Sequence, residues 1–153
     1  MPQKIAVFPG SFDPITKGHV NIVERALPLF DKIIIAIGNN SSKKYAFPFE
    51  KREQWIKDIF KKHKSIEVMA YQGLTVNFVR KVKATYLVRG IRNSSDFEYE
   101  KTIAQLNKSM APEVETICIL SDPEHSHISS TIVREIVLNG GDPSVFLPPE
   151  VKL

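Results

Sequence analysis

The chain has 153 residues, of which 42% are hydrophobic and 25% charged, with a formal net charge of +4. That length is expected to fold as one domain over residues 1–153, with a core of its own and no room for a second. No run approaches the roughly 20 apolar residues of a membrane helix, the start lacks a basic-then-apolar leader, and the single Cys118 cannot close an internal disulfide, so no membrane contact and a cytoplasmic location are expected. Much of the basic excess lies between Lys43 and Lys64, where Lys51, Arg52, Lys57 and Lys61 alternate with Glu50, Glu53 and Asp58 and read as a solvated helix face. Without an aromatic RNA-binding motif, zinc spacing or an arginine-rich tail, no nucleic-acid partner is expected. The charge suits a protein that holds several phosphates at once.

In chain order, Ile5-Ala6-Val7-Phe8 predicts a buried strand over 4–9, and Val20, Val23, Leu27 and Phe30 mark a helix from Val20 to Leu29. Pro28 should kink or end that helix. Between strand and helix lies Pro9-Gly10-Ser11-Phe12-Asp13-Pro14-Ile15-Thr16-Lys17-Gly18-His19. Two glycines, two hydroxyls and a histidine converge there on a helix start, whose orphan N–H groups and positive dipole end suit phosphate. Gly10 and Gly18 are expected to let a ligand come close to the backbone. The run is neither a Walker loop nor a GxGxxG fingerprint.

A second strand over 32–37 is nearly continuous apolar sequence, as in a parallel sheet covered on both faces. After it come Asn39 to Lys44, then Pro48 and Glu50 opening a helix with Trp55, Ile56, Ile59 and Phe60 on its apolar side. A strand over 66–71, a helix marked by Val76, Val79 and Val82, and a strand over 84–88 follow. Asp96 to Glu100 then open a helix whose apolar stripe is Ile103, Leu106 and Met110, before a strand over 115–120 in which Cys118 reads as a buried packing thiol. A last helix starts near Ile128, and the tail from Phe146 is too short for a stable helix of its own. The alternation predicts an α/β, Rossmann-like doubly wound sheet of five parallel strands with helices on both faces. Gly10, Gly38, Gly73 and Gly90 each fall just past a predicted strand end, the edge of an open parallel sheet where ligands sit.

The same edge collects further candidates. Lys43 or Lys44 could serve as a point charge for phosphate, and Arg89 and Arg92 are spaced to grip different groups of a polyanion. Asp96 to Glu100 read equally as helix-start acids and as ligand contacts. Ser129, Ser130 and Thr131 can cap a helix or hold phosphate oxygens, and three hydroxyls where a cap needs one favour an anion. His125 and His127 resemble a zinc pair, but the ligand count falls short, so no protein-held metal is expected; base stacking or loop packing fits better.

Thr16-Lys17-Gly18-His19 matches the [T/H]xGH signature of nucleotidyltransferases. With Pro9 to Pro14, Ser42-Lys43-Lys44, Arg89-Gly90-Ile91-Arg92, Asp96 to Glu100 and Ile128-Ser129-Ser130 in the same order, the whole chain resembles the bacterial phosphopantetheine adenylyltransferase family. The resemblance implies transfer of the adenylyl group of ATP to 4′-phosphopantetheine in coenzyme A biosynthesis, by in-line displacement, with Mg²⁺ entering through the ATP phosphates. It implies that Ser11, Phe12, His19, Gly90, Ile91, Arg92, Glu100 and the run His125, Ser126, His127, Ile128, Ser129, Ser130 and Thr131 contact ATP. Ser11, Lys43, Thr75 and Arg89 would hold the acceptor, and His19, as transition-state stabiliser, and Lys43 would be catalytic. A homo-hexamer and coenzyme A as a feedback ligand are implied too. Thr75, His125 and His127 depart from the family's usual residues, and its closing helix is largely missing. Two alternatives remain: a sibling transferase with another acceptor such as nicotinamide mononucleotide, and a non-catalytic nucleotide-binding module. Retention of His19 speaks against the second, since binding phosphate needs backbone N–H groups more than an imidazole.

Overall fold

Strands β1 (Ile5–Gly10), β2 (Lys32–Gly38), β3 (Ile66–Tyr71), β4 (Tyr86–Ile91) and β5 (Glu115–Leu120) pair in the order β3-β2-β1-β4-β5, every pair parallel. The structure is a computed structural model and describes residues 2–153. Helices α1 (Lys17–Ala26), α2 (Phe49–Phe60), α3 (Thr75–Lys81), α4 (Ser94–Met110) and α5 (Ser130–Leu138) connect and follow the strands. Successive strand residues point to opposite faces. Ala6, Phe8, Ile33, Ile35 and Ile37 pack with Ile22 and Val23 of α1, Trp55, Ile56 and Phe60 of α2 and Val133 of α5. Val7, Ile34 and Ala36 pack with Val76 and Val79 of α3. Helices on both faces explain why β1 and β2 read as unbroken apolar runs. Among the described residues, no helix is long and apolar enough to cross a membrane.

The chain leaves β1 toward β2 and β3, then crosses back to place β4 on the other side of β1. The strand order reverses there, and the C-terminal ends of β1 and β4 open a crevice between their loops. Every feature that matters for the site radiates from it.

Several expectations shift. The first helix begins at Lys17 rather than Val20, because Thr16 caps it, and it ends at Ala26, with Pro28 inside a 3-10 turn over Leu27–Leu29. The fourth strand runs to Ile91, so Arg89 and Gly90 lie within it, and Ile91 is buried. Cys118 is exposed rather than buried, because β5 has β4 on one side only and forms an edge of the sheet. Leu106 and Met110, read as core, are about half exposed, since α4 leaves that stripe uncovered. Arg52, read as part of a solvated face, is 1% exposed. It stands three, four and eight residues before Trp55, Ile56 and Phe60, all buried, which is the spacing of one helix face.

Candidate active site

The loop after β1 is compressed by its own aromatics. Phe12 adopts φ +48°, uncommon for a residue with a side chain, and its ring meets Phe8 and His19 edge-on at centroid distances of 5.5 and 5.1 Å. A Cβ on Gly10 would lie 3.1 Å from the Phe12 ring, and one on Gly90 would lie 3.0 Å from Ile22. Both glycines thus make room for neighbouring side chains while their backbones line the cleft, as expected for Gly10. Gly18 lines the same cleft under less crowding: the nearest neighbour of a Cβ there would be 3.5 Å away.

At the start of α1 the sequence builds a capping box. Thr16 Oγ1 accepts from the His19 N–H at 3.4 Å, while the Thr16 N–H donates to His19 Nδ1 at 3.0 Å. With Nδ1 an acceptor, the ring proton sits on Nε2. Burial first, then the positive charges of Arg89 and Arg92, lower the His19 pKa from 6.5 to about 4. The imidazole is therefore neutral near pH 7, a fixed N–H donor.

Both arginines of β4 and its exit are held by acids from α4. Arg89 Nε and Nη2 donate to the two Glu100 oxygens, each at 2.8 Å, and Nη1 donates to Pro9 O at 2.6 Å. Burial, the largest single influence, pulls the Arg89 pKa down, but the hydrogen bond to buried Glu100 together with the charges of Glu100, Tyr71 and Tyr99 makes the net shift upward. Arg92 forks onto Asp96 through Nε at 2.8 Å and Nη2 at 3.0 Å, and the Arg92 hydrogen bond holds the Asp96 carboxyl below its ordinary value. The cap of α4 is Asn93, whose Oδ1 accepts from the Asp96 N–H at 2.9 Å. Asp96 and Glu100 thus orient arginines, a role that spacing alone did not suggest.

At α5, Ser129 Oγ accepts from the Ile132 N–H at 3.1 Å and Ser130 Oγ donates to Pro14 O at 2.8 Å. Thr131 Oγ1 accepts from Arg134 at 3.2 Å, and Arg134 also donates to Asp13 O at 2.8 Å. Each hydroxyl has a protein partner yet keeps further hydrogen-bonding capacity. The first backbone N–H groups of the helix are the other donors offered to an anion. Across the cleft, Lys43 Nζ donates to Ser11 Oγ at 2.9 Å.

These groups line one cavity of about 340 Å³, which gathers Gly10, Ser11, Phe12, His19, Lys43, Arg89, Gly90, Arg92, Glu100, His125 and Ile128 to Thr131. His125 Nδ1 is buried there without a hydrogen-bond partner among the described residues. An adjoining hollow of about 250 Å³ continues past Arg89 and Glu100 to Thr75, Tyr71, Tyr99 and Asn107, with Thr75 Oγ1 and Tyr71 Oη 3.1 Å apart. Four expected residues lie outside both. Ile91 is buried, Ser126 Oγ donates to Pro123 O at 3.0 Å, His127 is exposed with its ring edge-on to Phe146, and Lys44 points to neither cavity. The sequence reading missed Asp13 and Arg134, whose work is to accept or donate backbone hydrogen bonds between loops distant in the chain.

Sheet order, crevice and donor set define a nucleotidyltransferase, and the Cytidylyltransferase-like family model matches residues 7–136. A bifunctional NMN adenylyltransferase/ADP ribose pyrophosphatase from Francisella tularensis shares the fold, with a TM-score of 0.72 at 22% identity over 95% of this chain and 45% of that one. A phosphopantetheine adenylyltransferase from Flavobacterium psychrophilum is 49% identical over 148 residues, 97% of both chains. One from Levilactobacillus brevis is 46% identical over 96% of this chain and 91% of its own. The chain belongs to the phosphopantetheine adenylyltransferase family.

Proposed function

We propose that the chain transfers the adenylyl group of ATP to 4′-phosphopantetheine, giving dephospho-coenzyme A and pyrophosphate. The observation that carries this reading is the neutral His19, its Nε2–H fixed by Thr16, in a cleft flanked by the Lys43–Ser11 pair and the start of α5. The hollow beyond Arg89 supports an acceptor that carries an extended arm behind its phosphate.

An acceptor phosphate is already anionic, so no residue need remove a proton from it. Its oxygen forms a bond to the α-phosphorus as the α–β P–O bond breaks, and pyrophosphate leaves with that electron pair. Lys43 and Ser11 hold the acceptor phosphate, and the α5 N-terminus and Arg92 hold the nucleotide's phosphates. Bringing the two polyanions together can supply roughly 7–11 kcal/mol of the barrier. His19 donates to the α-phosphate as charge accumulates there, worth about 3 kcal/mol for one such donor. Mg²⁺ would enter with the ATP phosphates. The cleft carboxylates are committed, Asp13 to two backbone N–H groups, Asp96 to Arg92 and Glu100 to Arg89.

The uncovered side chains of α4, Phe97, Tyr99, Leu106 and Met110, with Leu120 on β5, support self-association, here taken as a homo-hexamer. Sedimentation would measure its mass. Coenzyme A, which shares the acceptor's arm, would compete in the same cleft, and the protein would work in the cytoplasm. The test of the reaction is to supply ATP and 4′-phosphopantetheine and quantify pyrophosphate and dephospho-coenzyme A, expected in equal amounts. Efficient transfer to nicotinamide mononucleotide instead, or nucleotide binding without turnover, would replace this reading.

A further inference from the structure

Arg52 is a fully buried cation with no carboxylate within salt-bridge distance among the described residues. Burial pulls its pKa down, and Asp13 opposes that only in part. Its hydrogen bonds go to backbone carbonyls. Nη1 donates to Ser11 O at 2.7 Å and to Gly38 O at 3.4 Å, and Nε donates to Phe47 O at 3.1 Å. The Tyr45 ring covers the guanidinium, with its centroid 4.0 Å from Cζ. Gly38 and Phe47 bracket the loop that carries Lys43, so one planar group ties both ends of that loop to the backbone of Ser11. Asp13 closes the junction from the other side, accepting from the Ala46 and Phe47 N–H groups at 2.8 and 2.9 Å. Among the exposed side chains hung between these ties, Lys43 reaches Ser11, its Nζ donating to Ser11 Oγ at 2.9 Å.

We propose that Arg52 is a positioning residue for the acceptor phosphate: through the backbone it sets the separation of Lys43 and Ser11, the two groups that receive that phosphate. This rests on the acceptor reading above. Filling the core alone would favour an apolar side chain, since desolvating a charge is costly and well-packed hydrophobic replacements are often at least as stable. Lysine is not an equivalent, because an ammonium lacks the planar fork that reaches three carbonyls at once.

The test compares Arg52→Met and Arg52→Lys in the full chain, each also in a Lys43→Ala background, by melting temperature and by kcat and KM for both substrates. Displacement of a binding group by up to an ångström predicts an acceptor KM raised about tenfold, with the ATP KM moving by less than about twofold. In the Lys43→Ala background the further rise should largely vanish, because both changes act on one contact. Arg52→Lys, which keeps the charge, should show the same split. Equal rises for ATP and acceptor, full additivity with Lys43→Ala, or a lower melting temperature with unchanged kinetics in both variants would overturn the proposal. So would failure of both variants to fold, which would make Arg52 a strut of the core. If the unmodified protein made no product from the acceptor, the reaction reading would fail instead. Calorimetry with inorganic phosphate would then still test the clamp, which predicts weaker binding in Arg52→Met and is overturned by equal binding.

Discussion

Two helix starts, those of α1 and α5, face the same cleft and use their caps for different ends. At α1 the cap is reciprocal: Thr16 Oγ1 takes the His19 N–H, and His19 Nδ1 takes the Thr16 N–H. The box stabilises the helix and also fixes which imidazole nitrogen carries the proton. At α5 the cap is one-way, from Ser129 Oγ to the Ile132 N–H, while Ser130 ties the helix to Pro14. No side chain there is forced into a single protonation state. The first helix start presents a side chain built to act on one atom; the second presents backbone dipoles suited to holding charge.

Substitutions can break that contrast. His19→Ala should lower kcat by about 10²–10³, the cost of one lost transition-state donor, with little change in either KM. Stopped-flow or steady-state assays would measure it, and partial rescue by added imidazole would point to proton transfer instead.

The next effect appears in pH. The folded-state pKa of His19 lies near 4, below its ordinary 6.5. The neutral ring therefore favours the folded state fully above pH 6.5, and that contribution is lost as pH falls from 6.5 through 4. The loss amounts to about 3 kcal/mol. Denaturant unfolding of the unmodified protein and of His19→Gln across this range should show the difference, and NMR titration should place the ring near 4. A ring titrating near 6.5 would remove the basis for a neutral donor.

Ser129→Ala should cost about 1 kcal/mol of stability, as the loss of an N-cap usually does. It should weaken ATP more than AMP if the helix start holds the outer phosphates. Calorimetry with both nucleotides decides this, and equal losses would leave Ser129 a cap alone. The smallest effect belongs to Thr16→Ser, which keeps the capping oxygen and should change stability by only a few tenths of a kcal/mol, with kcat unchanged. A large fall in kcat would mean that the Thr16 methyl group, not its oxygen, places His19.

β1 and β2 were readable because helices cover both of their faces, so burial is written along the chain as unbroken apolar sequence. The edge of the sheet was not. β5 carries the same residue types, yet Cys118 is exposed, because composition does not say which strand lacks a second neighbour. The stripe on α4 misled for the same reason: Ile103, Leu106 and Met110 have helical spacing, and only the packing shows that Leu106 and Met110 are left uncovered. Arg52 reversed the error. Its spacing from Trp55, Ile56 and Phe60 marked a buried face, but the surrounding charges argued for solvent.

By itself the sequence determined the alternation of strands and helices, the glycine, hydroxyl and histidine run at the first crossover, and the family resemblance carried by motifs from Pro9 to Ser130. These are local properties, governed by periodicity, turn chemistry and residue type within a few positions. Tertiary structure decided what those residues do to one another. It brought Arg89 onto Glu100 and Arg92 onto Asp96, placed both arginines where they help hold His19 neutral, and left His127 outside the cleft. Protonation states and partnerships of this kind depend on distances of a few ångströms between segments up to more than a hundred residues apart. Such distances follow from how the sheet is ordered and covered, and no single stretch of chain contains them.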